Sequence, residues 1–133
     1  MFGLSFSYPR SDADVHARYR TECYSLYLRF HSEGYLHQST YIRNIVMQPG
    51  PLTRHPQERS NSTPSFRLID FGRSTNVEEE VTKKSKESKK DGSTEEEKEE
   101  RRASAYRSWG LSRAQEEMAI NRELGASFDV GPR

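Results

Sequence analysis

Cysteine is almost missing from this chain: Cys23 stands alone, which rules out an intrachain disulfide and a cysteine-built zinc framework. Long apolar runs are missing too, so no stretch has the length needed to span a bilayer. The opening Met1-Phe2-Gly3-Leu4-Ser5-Phe6 lacks the basic flank and sustained apolar region of a secretion signal. Nor is there an excess of charge of one sign. The 21 basic and 20 acidic residues leave +1, too little for a global field that would draw nucleic acid or an anionic membrane. Apolar residues are scarce, 32% against 31% charged, so part of the 133-residue chain cannot belong to a packed core and the core is small. A mean hydropathy of −1.02 agrees. These absences predict one modest intracellular domain, cytoplasmic or nuclear, with neither nucleic acid nor membrane as partner.

What is present begins with a helix. Ser11 suits an N-cap with Asp14 three positions on, and Val15, Tyr19, Cys23, Leu26, Tyr27 and Phe30 follow at helical spacing. They form one apolar stripe, with Arg18, Arg20, Glu22 and Arg29 largely off it. This predicts a helix over about 12–32 whose stripe is core and whose Cys23 is a buried structural thiol. Gly34 suits the left-handed residue that ends it. Residues 35–44 read as a loop. The segments 45–47 and 66–69 read as the two strands of a small hairpin, joined by an exposed excursion rich in Pro, Ser, Thr and Arg. Arg54, His55 and Arg59 in that excursion read as solvated charges. Over 76–102 Glu and Lys interleave without apolar periodicity, which predicts a disordered linker or a solvated, frayed helix. Ser112-Arg113-Ala114-Gln115 resembles a capping box within an amphipathic helical segment over 103–125. Ala114, Met118, Ala119 and Leu124 mark its apolar face, Trp109 its anchor and Gly125 its stop. Residues 126–133 read as a loose tail. The expected class is α+β, with residues 1–75 as the core.

The chemistry concentrates in residues 64–74. A short strand there ends in Asp70-Phe71-Gly72, and a carboxylate on such a turn suits a metal ligand. Phe71 is expected to anchor the turn in the core and Gly72 to let the backbone change direction. Upstream, Gly34-Tyr35-Leu36-His37 follows the long helix, and Asn44 comes seven residues after His37. Helix, histidine loop, asparagine, hairpin and Asp70-Phe71-Gly72 is an order that resembles the C-terminal lobe of the protein-kinase-like superfamily. The run from Gly34 through Arg43-Asn44-Ile45-Val46 and Gln48-Pro49-Gly50-Pro51-Leu52 to Ser74 is similar to the kinase-like proteins abundant in mushroom-forming fungi. The resemblance covers 11–75, and 103–125 loosely. It implies a partial kinase-like C-terminal lobe with Mg2+ and ATP as cofactors. Asn44 and Asp70 become metal ligands, with Phe71 and Gly72 on the same cofactor loop. His37 becomes a structural residue packed against Phe71, and Arg43 a partner for a carboxylate or phosphate.

The departures from that pattern bear on activity. The catalytic aspartate belongs two places after the histidine; Ser39 stands there, and a hydroxyl cannot take a substrate proton as a carboxylate does. Gln38 replaces the arginine between them. No lysine precedes Lys83, and neither a glycine-rich loop nor an Ala-Pro-Glu is present. The expectation is a degenerate kinase-like lobe or fragment that keeps weak Mg2+ and ATP binding without phosphotransfer. One alternative is an ATP-dependent kinase whose upper lobe is absent from this chain. The other is a non-enzymatic helical interaction module. Without an upper lobe, apolar surface near Leu36 and Phe71 is expected to be exposed. The expected partners are a nucleotide and a protein covering that face.

Overall fold

Helix α1, Ala13–Ser32, presents Tyr19, Cys23 and Tyr27 along one line, and all three are buried. The spacing of four residues puts them on one face of a 3.6-residue period. Val15, Leu26 and Phe30 flank that line and are partly buried against it. Burial raises the Cys23 thiol pKa well above its ordinary value, so the thiolate is disfavoured and the group acts as a small apolar filler. The computed structural model describes residues 2–3, 13–87, 92 and 94–128; the Ser11 cap lies outside them. Gly34 ends the helix with φ +88°, and its N–H donates to the His31 carbonyl at 2.9 Å. A side chain at Gly34 would also meet Val77 Cγ1 at 3.0 Å, so glycine is required there twice over.

Two small antiparallel sheets complete an α+β domain. The first joins β1 (Phe2–Gly3), β3 (Ile45–Gly50) and β4 (Ser60–Leu68) in the order β1-β3-β4. Its register sets Ile45 opposite Leu68 and Met47 opposite Phe66. The second pairs β2 (Tyr35–Leu36) with β5 (Thr75–Asn76). Both hairpin strands are longer than the sequence suggests, and the excursion shrinks to 51–59 with one 3-10 turn at Pro56–Glu58. Prolines 49 and 64 do not stop the ladder because both fall in the irregularity between the Gln48–Ser65 and Gly50–Ser60 pairs. A missing N–H is tolerated at such a break.

The charged tract carries helix. Helix α2, Val77–Glu87, starts on Asn76, whose Oδ1 accepts from Glu78 N at 2.9 Å, and Glu78, Glu79 and Glu80 favour its positive end. Val81, one turn after Val77, is 1% exposed, and this single i,i+4 pair replaces the apolar periodicity that the tract lacks. Helix α3 runs Glu95–Phe128 without interruption. Thr94 caps it, with Oγ1 accepting from Glu97 N at 3.2 Å, so the operative capping pattern is Thr94-Glu95-Glu96-Glu97 rather than the one at Ser112. Gly125 does not stop the helix. Ile120 and Leu124, both fully buried, hold its last turns against α1, which outweighs the roughly 1 kcal/mol that a glycine costs in a helix.

The core gathers Tyr19, Cys23 and Tyr27 of α1, Ile45 of β3, Phe66 and Leu68 of β4, and Ile120 and Leu124 of α3. Tyr19 meets Phe66 edge-on with ring centroids 5.4 Å apart. Each large side chain fully buried here contributes about 1.5–3 kcal/mol. Trp109 is half-buried and faces α2 and β2 across a cavity of about 120 Å³ lined also by Leu36, Ala105 and Glu80. No helix among the described residues is long and apolar enough to cross a membrane.

Candidate functional site

The two segments carrying the residues singled out by the sequence resemblance are the loop after β2 and the turn after β4, and hydrogen bonds join them. His37 is fully buried, and its Nε2–H donates to the Ile69 carbonyl at 2.8 Å. Its Nδ1 is buried without a partner among the described residues. Ile69 N–H donates in turn to the Asn44 carbonyl at 2.8 Å, extending the β3–β4 pairing up to the residue before Asp70. The His37 ring meets Phe71 edge-on at 5.5 Å, and Phe30 of α1 touches Phe71 at 5.4 Å. Phe71 is nevertheless 49% exposed, so it rests on the aromatic cluster rather than inside the core. Leu36, expected at the surface, is buried, in the strand β2 that pairs with β5, and it lines one cavity with Trp109 of α3.

The backbone of the Asp70 turn also differs from expectation. The left-handed residue is Asp70, with φ +64°, and Gly72 has no positive φ. Aspartate tolerates that region better than most side chains because its short carboxylate can bond locally. The other non-glycine residue with positive φ among the described residues is Gln38, at +62°, in the facing loop. Strain of this kind concentrates where a structure holds side chains for a purpose.

Asn44 is buried, and its Nδ2 donates to the Ser39 carbonyl at 2.7 Å and to Ser39 Oγ at 3.0 Å. With the nitrogen committed, Oδ1 is the amide atom left for a cation. Asn44 Oδ1 and the exposed Asp70 carboxylate are two hard oxygen donors. Mg2+ typically takes one or two protein ligands and fills its octahedron with waters and phosphate oxygens, so these are donors of the type it takes, while no group of three or more His, Cys, Asp or Glu among the described residues is gathered to hold a metal ion. Ser39 is buried, and its hydroxyl oxygen already accepts from Asn44, which removes it further from the role of a base. Arg43 lies with its guanidinium 4.2 Å from the Tyr41 ring centroid, a cation–π contact.

One residue central to this geometry has no signal in the loop motifs: Glu116 of α3. Its Oε1 accepts from His37 N at 2.8 Å, and its Oε2 accepts from Gln38 N at 2.9 Å. Both amides of the strained loop therefore end on one carboxylate. The same Oε1 lies 2.9 Å from His31 Nε2, and Glu117 Oε1 lies 3.0 Å from His31 Nδ1. Burial alone would raise the Glu116 pKa, but the bonds from His31 and from the Gln38 and His37 amides outweigh it, and the net shift is downward. The available signal was a glutamate on the line of Ile120 and Leu124, one and two turns ahead on the buried face; a carboxylate placed there needs donors from another element.

No protein family, curated protein or solved structure matches this chain.

Proposed function

We propose that this chain is a kinase-like lower lobe that has lost phosphotransfer and keeps a weak magnesium half-site at Asn44 and Asp70. The observation that carries the reading is the state of the residue two places after His37. It is Ser39, with its hydroxyl engaged by Asn44, where the chemistry requires a carboxylate base. The order of parts along the sequence supports the kinase-like assignment. So does the coupling of the His37 loop to the Asp70 turn through Ile69. Two oxygen donors, with Ser39 in place of the carboxylate base, are the basis for expecting weak binding and no turnover.

The test is a Mg2+ titration with and without ATP, followed by amide NMR shifts, beside an assay for transfer of labelled γ-phosphate. Shifts confined to residues 44 and 68–72, saturating on the order of millimolar Mg2+ and lost in Asp70→Asn, are expected. No transfer is expected. Transfer that Asp70→Asn abolishes would establish an active kinase completed by another chain. Absence of any Mg2+ response at Asn44 and Asp70 would leave the interaction-module reading.

A further inference from the structure

The last turn of α1 holds a buried ionisable group that the magnesium half-site does not use. His31 is 1% exposed and both of its ring nitrogens face carboxylates, Nε2 toward Glu116 and Nδ1 toward Glu117, at 2.9 and 3.0 Å. An ionised carboxylate only accepts, and a neutral imidazole has one N–H to give. Two carboxylates are satisfied together only when His31 carries two protons. The other groups facing this cluster do not change that count. From α1, Tyr27 meets the His31 ring edge-on at 6.3 Å. From α3, Arg113 Nε donates to Glu117 Oε1 at 3.1 Å, while Glu123 acts on Tyr27 and is not among the groups that shift His31. From the loop, the His37 ring lies 5.8 Å from Tyr27. Glu116 thus has His31 as its cationic partner, and it spends its remaining acceptor capacity on the amides of His37 and Gln38.

We infer that protonated His31 is a positioning residue for the 37–39 loop. It holds Glu116 where both carboxylate oxygens meet the loop amides, and loss of its second proton loosens that loop while the α1–α3 core stays packed. The chemical sequence is short. Deprotonation turns one ring nitrogen into a lone pair facing a carboxylate, and Glu117, partly exposed and bonded to Arg113, swings aside. Glu116 is left buried and ionised against neutral donors alone. A buried anion without a counter-charge is held less firmly, and the amides that depend on it open more often. Burial pulls the His31 pKa down, but the bonds and charges of Glu116 and Glu117 overcome this and the net shift is upward. The hold is therefore complete below the ordinary histidine value of about 6.5 and fades as pH rises through the raised midpoint. On the acid side the depressed Glu116 pKa keeps it intact until pH falls below the ordinary glutamate value of about 4.3. The inference rests on loop geometry and stands independently of the magnesium reading.

Hydrogen exchange at the His37 and Gln38 amides, corrected for intrinsic rates, tests it alongside the NMR titration of the His31 ring. Their protection is expected to fall about tenfold across the His31 midpoint, while Ile120 and Leu124 amides keep theirs. In Glu117→Gln, a substitution at a partly exposed side chain that leaves the core intact, the ring midpoint and the loop transition are expected to move to lower pH together. Three results would each overturn the assignment: loop protection flat through the ring titration, a His31 ring already neutral at pH 5, or a ring midpoint that moves without the loop.

Discussion

Asp70 shows how a single backbone angle separates stability from chemistry. At φ +64° a side chain with a β-carbon is strained, by roughly 1–2 kcal/mol for most residues and less for aspartate. Asp70→Gly is therefore expected to stabilise the fold by about 0.5–1 kcal/mol, while Asp70→Ala destabilises it by a similar amount. Both remove the Asp70 carboxylate on which the proposed half-site depends. Urea midpoints of the three proteins decide it, and a destabilised glycine variant would show that the Asp70 side chain supports the turn. Ser39 makes the complementary point. Its hydroxyl accepts from Asn44, so Ser39 fixes the orientation of that buried amide.

At the scale of the element, α3 carries two faces of opposite consequence. Ile120 and Leu124 are fully buried against α1, while Met118 is 65% exposed only two positions from Ile120. Ile120→Ala is expected to cost about 2–5 kcal/mol through lost transfer energy and the cavity left behind. Met118→Ala is expected to stay within about 0.5 kcal/mol. Chemical denaturation of both variants measures the contrast, and equal effects would mean that α3 does not pack in this register. The same helix explains why its beginning was hard to read. Glu95, Glu96, Glu97, Glu99 and Glu100 are all exposed, so nothing apolar marks the first turns. They are helical through the Thr94 cap, the favourable charges at the N-terminus and continuity with the packed half.

At the scale of the whole molecule, α3 closes the core that α1 and the β3–β4 hairpin leave open. It also supplies the acceptor for the His37 loop. A chain ending at Glu87 would lose Ile120, Leu124 and Glu116 together. Each is worth several kcal/mol against a total of about 5–15 kcal/mol for a domain, so that fragment is expected to show no cooperative thermal transition by circular dichroism. A cooperative melt near that of the full chain would show that residues up to 87 hold a core of their own. Residues 1–75 were expected as the core, and Ile120 and Leu124 of α3 belong to it as well.

The sequence by itself determined what depends on local spacing. The stripe of Tyr19, Cys23 and Tyr27, the left-handed stop at Gly34 and the strand character of the segments around Ile45 and Phe66 follow from short-range patterns, whereas the meeting of His37 with Phe71 was expected only from the kinase resemblance. Periodicity and turn chemistry operate within a few residues, where a single chain records them directly. Only the tertiary structure decided the rest. Leu36 is buried at the strand β2 that pairs with β5, and the turn strain sits on Asp70 rather than Gly72. The loop around Ser39 is held by Glu116, whose amide partners lie 79 and 78 residues away. A buried carboxylate is tolerable only where distant donors converge on it, and their convergence is a property of packing that no local pattern encodes.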